Sequence, residues 1–237
     1  LDATNRNVSV TATDNAANAT TTADDTNATV DNQAPTVTDG NIAISGASGP
    51  GGVFKIGDTV TATWNKTAGG DNNADTISAV TVDFSQFGGG AAVVATNSSG
   101  TWTATYPIVA GTIDATNRNV SVTAIDNAGN AATTADTTNA TVDNQAPTVT
   151  DARIAISGAS GTSGAFKAGD TVTATWNNTA GGDNNADTIS SVTVDFTQFG
   201  GGAAVAASNS SNTWTATYTI VGGAIDERDL LDHDVEQ

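Results

Sequence analysis

Cysteine and methionine are absent from these 237 residues, histidine occurs once, and leucine appears only at Leu1, Leu230 and Leu231. Without cysteine, neither disulfides nor thiol chemistry can hold or operate the fold. With leucine so scarce and β-branched residues so frequent, almost no helix signal remains. Lys and Arg number 7 against 25 Asp and Glu, a formal net charge of −18, and so few cations cannot form the positive face that a nucleic acid backbone requires. No apolar run approaches the length of a membrane span, so no transmembrane segment is expected. The one histidine, His233, lies in a tail that does not repeat, and with no cysteine either an enzyme is not expected.

Repetition is the main positive signal. A shift of 112 residues lays Trp64 on Trp176, Trp102 on Trp214, Asp71 on Asp183 and Pro35 on Pro147, and residues 1–112 differ from 113–224 at 20 positions. A repeat of this length buries a core of its own, so it reads as a string of globular modules. Taking each module to begin at the Ala-Pro after a polar junction makes residues 1–31 the last two strands of one repeat. Residues 32–143 are then a complete domain, 144–224 the first five strands of the next, and 225–237 a tail outside the repeat.

Period-two alternation dominates the repeat. In Thr59–Trp64, Val60, Ala62 and Trp64 share one face and three threonines share the other, the pattern of a strand with one buried side. The same reading predicts strands over 37–45, 59–64, 79–84, 91–95, 101–108, 119–125 and 133–142, joined by glycine-rich turns. Seven short strands in about 110 residues imply an all-β, two-sheet sandwich with the tryptophans inside. A calcium-binding parallel β-helix is the alternative, but its short GGxGxD repeat is missing.

Of the 25 acidic residues only Glu227 and Glu236 are Glu. Asp is short enough to serve tight turns and oxygen-rich cation loops. Asp71, Asn73 and Asp75 stand at i, i+2 and i+4, repeated as Asp183, Asn185 and Asp187, the spacing that brings alternate side chains onto one hard cation. In a seven-stranded sandwich this loop meets two others at one end of the domain. One is the hairpin loop Asp126–Asn130, with Asp14–Asn18 as its first copy. The other is the junction Asp143-Asn144, with Asp31-Asn32 as its first copy. Asp114, and Asp2 before it, should approach a junction from the preceding domain. So many carboxylates in one small volume repel each other and should have raised pKa values unless a cation is present. One or two Ca²⁺ ions clamping each junction would explain the arrangement.

The junction VDNQAPTV (30–37), the strand opener KIGDTVTATW (55–64) and the hairpin VTAIDNAGNA (122–131) resemble the bacterial immunoglobulin-like repeats of large type I-secreted (RTX-type) surface adhesins. The resemblance implies tandem immunoglobulin-like sandwiches that act as extracellular, cell-surface stalk modules, stiffened by Ca²⁺ at the linkers. Asp143 would then be the linker ligand, with Asp71, Asp126 or their copies supplying the loop ligands. Ala17 departs from the pattern, which favours the glycine found at Gly129. The expected partners are neighbouring repeats of the same or an adjacent chain. Two further possibilities are a calcium-dependent glycan site and head-to-tail assembly, in which the strands of residues 1–31 complete the unfinished domain of another molecule.

Overall fold

The computed structural model describes residues 2–223, and the tail at 225–237 lies outside them. The chain forms two compact units, Leu1–Ala146 and Pro147–Gln237. It is predominantly β-strand, arranged in several small sheets. Among the described residues no helix is long and apolar enough to cross a membrane.

The first unit opens with β1 (Asp2–Arg6), β2 (Ser9–Thr13), β3 (Ala19–Ala23) and β4 (Ala28–Asp31). Among the described residues β1 pairs only with β4, and β2 only with β3. Then follow β5 (Ile42–Ser45), β6 (Phe54–Lys55), β7 (Thr59–Asn65), β8 (Ile77–Asp83), β9 (Val93–Val94), β10 (Thr96–Ser98), β11 (Thr101–Pro107), β12 (Asp114–Arg118), β13 (Ser121–Asp126), β14 (Ala131–Ala135) and β15 (Ala140–Asp143). They form two four-stranded sheets, ordered β10-β11-β7-β5 and β14-β13-β8-β9, and a third, β12-β15-β6.

The core follows from the alternation. Val60, Ala62 and Trp64 of β7 and Trp102 and Ala104 of β11 join Val80 and Val82 of β8 and Val122 and Ala124 of β13 in one buried cluster. Trp64 faces Trp102 directly across the β7–β11 ladder. Burial of each large side chain contributes roughly 1.5–3 kcal/mol. Phe54 meets Phe87 edge-on, and Phe84 stacks on Tyr106. Gly46 must be glycine: its φ is 114°, and a Cβ there would stand 1.9 Å from the Thr59 carbonyl oxygen.

Two expected strands are altered. Over 37–45 only Ile42–Ser45 is a strand, because loop side chains occupy the backbone before it. The strand expected over 133–142 breaks after Ala135, where Asp136 accepts from the backbone and hydroxyl of Thr138 and Asn139 turns to a φ of 58°. Asp114–Asn117, expected as a loop, lies in β12 and pairs with β15 through a bulge.

The second unit repeats the first sheet as β16 (Ile154–Ser157), β17 (Thr171–Asn177), β20 (Ser208–Ser210) and β21 (Thr213–Thr219), again with Trp facing Trp, here Trp176 and Trp214. Its second sheet is reduced to β18 (Thr193–Val194) and β19 (Val205–Ala206), two residues each. Among the described residues the stretch matching β8 pairs only with β19, over two residues.

Candidate metal centre

Three segments of the first unit converge at one end of its sheets. Asp31 closes β4, Asp75 lies in the loop between β7 and β8, and Asp126 closes β13. Each offers a carboxylate oxygen, and the three oxygens lie within 4.8 Å of one another. A cleft of about 590 Å³ opens beside them, lined also by Thr29, Thr76 and Asn127. Three carboxylates so placed could coordinate a divalent cation, with carbonyls and water completing the shell.

The hairpin loop sets Asp126. Its Oδ1 accepts the backbone N–H groups of Ala128 and Asn130 at 2.8 and 2.9 Å, and its Oδ2 accepts Asn130 Nδ2 at 2.9 Å. Its side chain is only 1% exposed. Burial alone would raise its pKa, but the side-chain and backbone hydrogen bonds from Asn130, with those from Ala128 and Gly129, outweigh burial and hold the carboxyl below its ordinary value. The upward push expected of crowded carboxylates is therefore not what Asp126 shows. Asn130 also ties the cluster together, since its Nδ2 lies 3.2 Å from Asp31 Oδ1. Asp31 Oδ1 further accepts Gln33 N–H at 3.1 Å. Lys66 Nζ reaches the Asp75 carbonyl at 3.4 Å.

Compared with family models and with curated proteins, the chain finds no match. The geometry alone carries the reading of this site.

The remaining expected ligands are placed differently. Asp71 lies outside the Asp31–Asp75–Asp126 group and is held by hydrogen bonds. Its Oδ2 accepts Trp64 Nε1 at 2.6 Å and Thr38 N at 2.9 Å, and its Oδ1 accepts Thr38 Oγ1 at 2.5 Å and Asn41 Nδ2 at 2.8 Å. Burial would raise its pKa, but these four donors, led by the Thr38 hydroxyl, bring it below the ordinary value. Asn73 imitates a strand, taking Thr36 N–H on Oδ1 at 2.7 Å and returning Nδ2 to Thr36 O at 2.8 Å. Together they staple the chain ahead of β5 to the loop.

The second copy repeats the staple. Asp183 accepts Trp176 Nε1, Thr150 N and Thr150 Oγ1, and Asn185 bridges Thr148. Asp187 lies half-buried in the second unit. Asn144 is buried, held by Ile113 N–H and Val109 O, and is a structural plug. Asp143 accepts Gln145 N–H and stands opposite Asp114 in the β12–β15 register, as Asp31 stands opposite Asp2 in β1–β4. Asp14 is exposed and accepts the N–H groups of Ala16 and Asn18. Sequence reasoning missed the tryptophan partner of Asp71. The signal was available: an Asp follows a Trp by seven residues in both copies.

Proposed function

We propose that this chain is a non-catalytic structural extender: tandem immunoglobulin-like seven-stranded sandwiches on the outside of a cell, stiffened by Ca²⁺ at their junctions. The observation that carries the reading is the meeting of Asp31, Asp75 and Asp126. Asp31 belongs to the end of one repeat, whereas Asp75 and Asp126 belong to the next. A cation shared among them ties two modules that otherwise touch at a short linker. A site of three carboxylates filled out by water fits the weak affinities of extracellular calcium modules, with dissociation constants on the order of 10⁻⁴–10⁻³ M, where the ion is abundant. The recurrence of the same acidic positions at the module period suits a structural device better than a single active site. Two sheets around one tryptophan-centred core support the immunoglobulin-like assignment.

Calorimetric titration with CaCl₂, paired with thermal unfolding in CaCl₂ and in EDTA, tests the proposal. Binding heat in that range and a midpoint a few degrees higher in calcium are expected. Superimposable melting curves with no heat of binding would remove the metal from the reading.

A further inference from the structure

We infer that Asp39 and Asp136 of the first unit hold a hard divalent cation of their own, away from the junction, which bolts the segment before β5 to the turn between β14 and β15. Among the described residues the buried aspartates are Asp58, Asp126, Asp136 and Asp170. Three of them have a donor on each carboxylate oxygen: Ser48 and Lys55 serve Asp58, Ala128 and Asn130 serve Asp126, and Ser160 and Lys167 serve Asp170. Asp136 is the exception. It is 1% exposed, and its Oδ1 accepts Thr138 N–H at 3.2 Å and the Thr138 hydroxyl at 2.6 Å, whereas its Oδ2 is enclosed and receives no donor. A buried carboxylate oxygen without a partner is costly.

What stands beside it is a second carboxylate. Thr137, the next residue, gives its N–H and its hydroxyl to the two oxygens of Asp39, at 2.8 and 2.6 Å. These bonds, the hydroxyl first, outweigh burial and hold the Asp39 carboxyl below its ordinary value, and the Asp136 side chain lies within hydrogen-bonding reach of it. The backbone on each side is held in place. Asp136 N–H donates to Val120 O at 2.9 Å, and the Thr134 hydroxyl donates to Val37 O at 2.6 Å.

Two carboxylates in contact, one of them out of water, repel each other unless a positive charge lies between them. Among the described residues neither forms an ion pair with a lysine or arginine. A cation from solution meets the need. The enclosed Oδ2 of Asp136 and the Asp39 carboxylate are the oxygen ligands that a hard divalent ion takes, and Asp39, only half-buried, leaves room for water to complete the shell.

The segment so fastened has little else to hold it. Ahead of β5 the chain forms no ladder, and side chains carry it: Asn73 on Thr36, Thr134 on Val37 and Asp71 on Thr38. A cation between Asp39 and Asp136 adds a fourth fastening, where the segment turns into β5. None of Asp31, Asp75 and Asp126 takes part in it.

Calorimetry and thermal unfolding of the full chain, with CaCl₂ as the probe, test this in an Asp75→Asn background, where the junction cluster is disabled and its own success or failure does not bear on the result. One calcium-binding event is expected to remain, and adding Asp136→Asn is expected to weaken it at least about tenfold. Asp39→Asn, at a half-buried position, gives the same reading independently. Asp136→Asn keeps Oδ1 for Thr138 and puts an N–H donor in place of Oδ2, so in EDTA it is expected to melt higher than its parent, a gain that vanishes in saturating CaCl₂. Absence of any calcium event in Asp75→Asn would overturn the inference, as would an event indifferent to both Asp39→Asn and Asp136→Asn. A gain from Asp136→Asn that is equal in EDTA and in CaCl₂ would place a proton between the carboxylates and equally overturn it.

Discussion

The hairpins β13–β14 and β2–β3 share nearly one sequence and one register, yet Val122 is fully buried and Val10 is 67% exposed. The same holds for the segment before β5 and its copy, where Val37 is 8% exposed and Val149 57%. Pairing within a hairpin is local and survives without neighbours. Burial belongs to the face a hairpin is given, and β8 gives that face to β13 and not to β2. Hydrophobic alternation thus specifies which side is meant to be inside, and the rest of the sheet decides whether there is an inside.

The largest effect that sharpens this contrast is on stability. Val122→Ala should cost about 2 kcal/mol, the transfer of two methyl groups plus the residual cavity. Val10→Ala should change it by less than about 0.5 kcal/mol. Urea unfolding at low protein concentration measures both, and equal losses would mean that the two hairpins share an environment after all.

Next comes the cation. Asp75→Asn keeps the side chain's size and removes its charge, and should weaken Ca²⁺ binding at least about tenfold. Asp187→Asn, at the matching position of the second unit, should leave the titration of the Asp31–Asp75–Asp126 cluster unchanged. Calorimetry separates them, and an unaltered affinity in Asp75→Asn would dissolve the cluster as a site.

The two copies should agree in acid. Asp58 accepts Ser48 N–H, Ser48 Oγ and Lys55 N–H, and Asp170 accepts the same set from Ser160 and Lys167. In each the serine hydroxyl is the largest cause of a carboxyl held below its ordinary range. A depressed folded pKa contributes stability that is full above the unfolded value, about 3.9, and is lost as pH falls through the folded value. Urea midpoints should therefore drop below about pH 4 for both units. Asp58→Asn should flatten that drop in the first unit only, and an unchanged slope would count against the Ser48 clasp.

The smallest effect concerns one turn. Ala17 holds a φ of 69° where its copy Gly129 holds 94°. Ala17→Gly should slow hydrogen exchange in β2–β3 by relieving roughly 1 kcal/mol of backbone strain, and Gly129→Ala should speed it in β13–β14. Identical exchange in the variants would show that neither turn is strained.

Much of this was legible in advance. The alternation in Thr59–Trp64 and Thr101–Ile108 placed β7 and β11 to within a residue, because a half-buried strand leaves a period that a helix cannot imitate. The convergence of the junction, the β7–β8 loop and the hairpin loop followed from topology. What was hidden was the choice between two uses of one carboxylate. Asp71 and Asp75 sit in the same polar loop, and a cation and a buried indole N–H ask for the same oxygen. Trp64 decides it, and its reach to Asp71 depends on how the loop folds back. β12 was hidden for a related reason: Asp-Ala-Thr-Asn has turn composition, and only the bulged register against Ala140–Asp143 makes it a strand.

The chain leaves the first unit along β15, which runs parallel to β6 with Val142 opposite Phe54 and Asp143 opposite Lys55, and antiparallel to β12. Asn144 follows, donating its N–H to Ile113 O at 2.8 Å and accepting Gly111 N–H at 2.8 Å, besides its side-chain bonds. Tension applied through Asn144, against an anchor near Asp31 at the opposite end, draws β15 lengthwise past both neighbours rather than peeling it away. Bonds loaded in shear must break together, so under such tension the exit strand would yield as a unit rather than residue by residue.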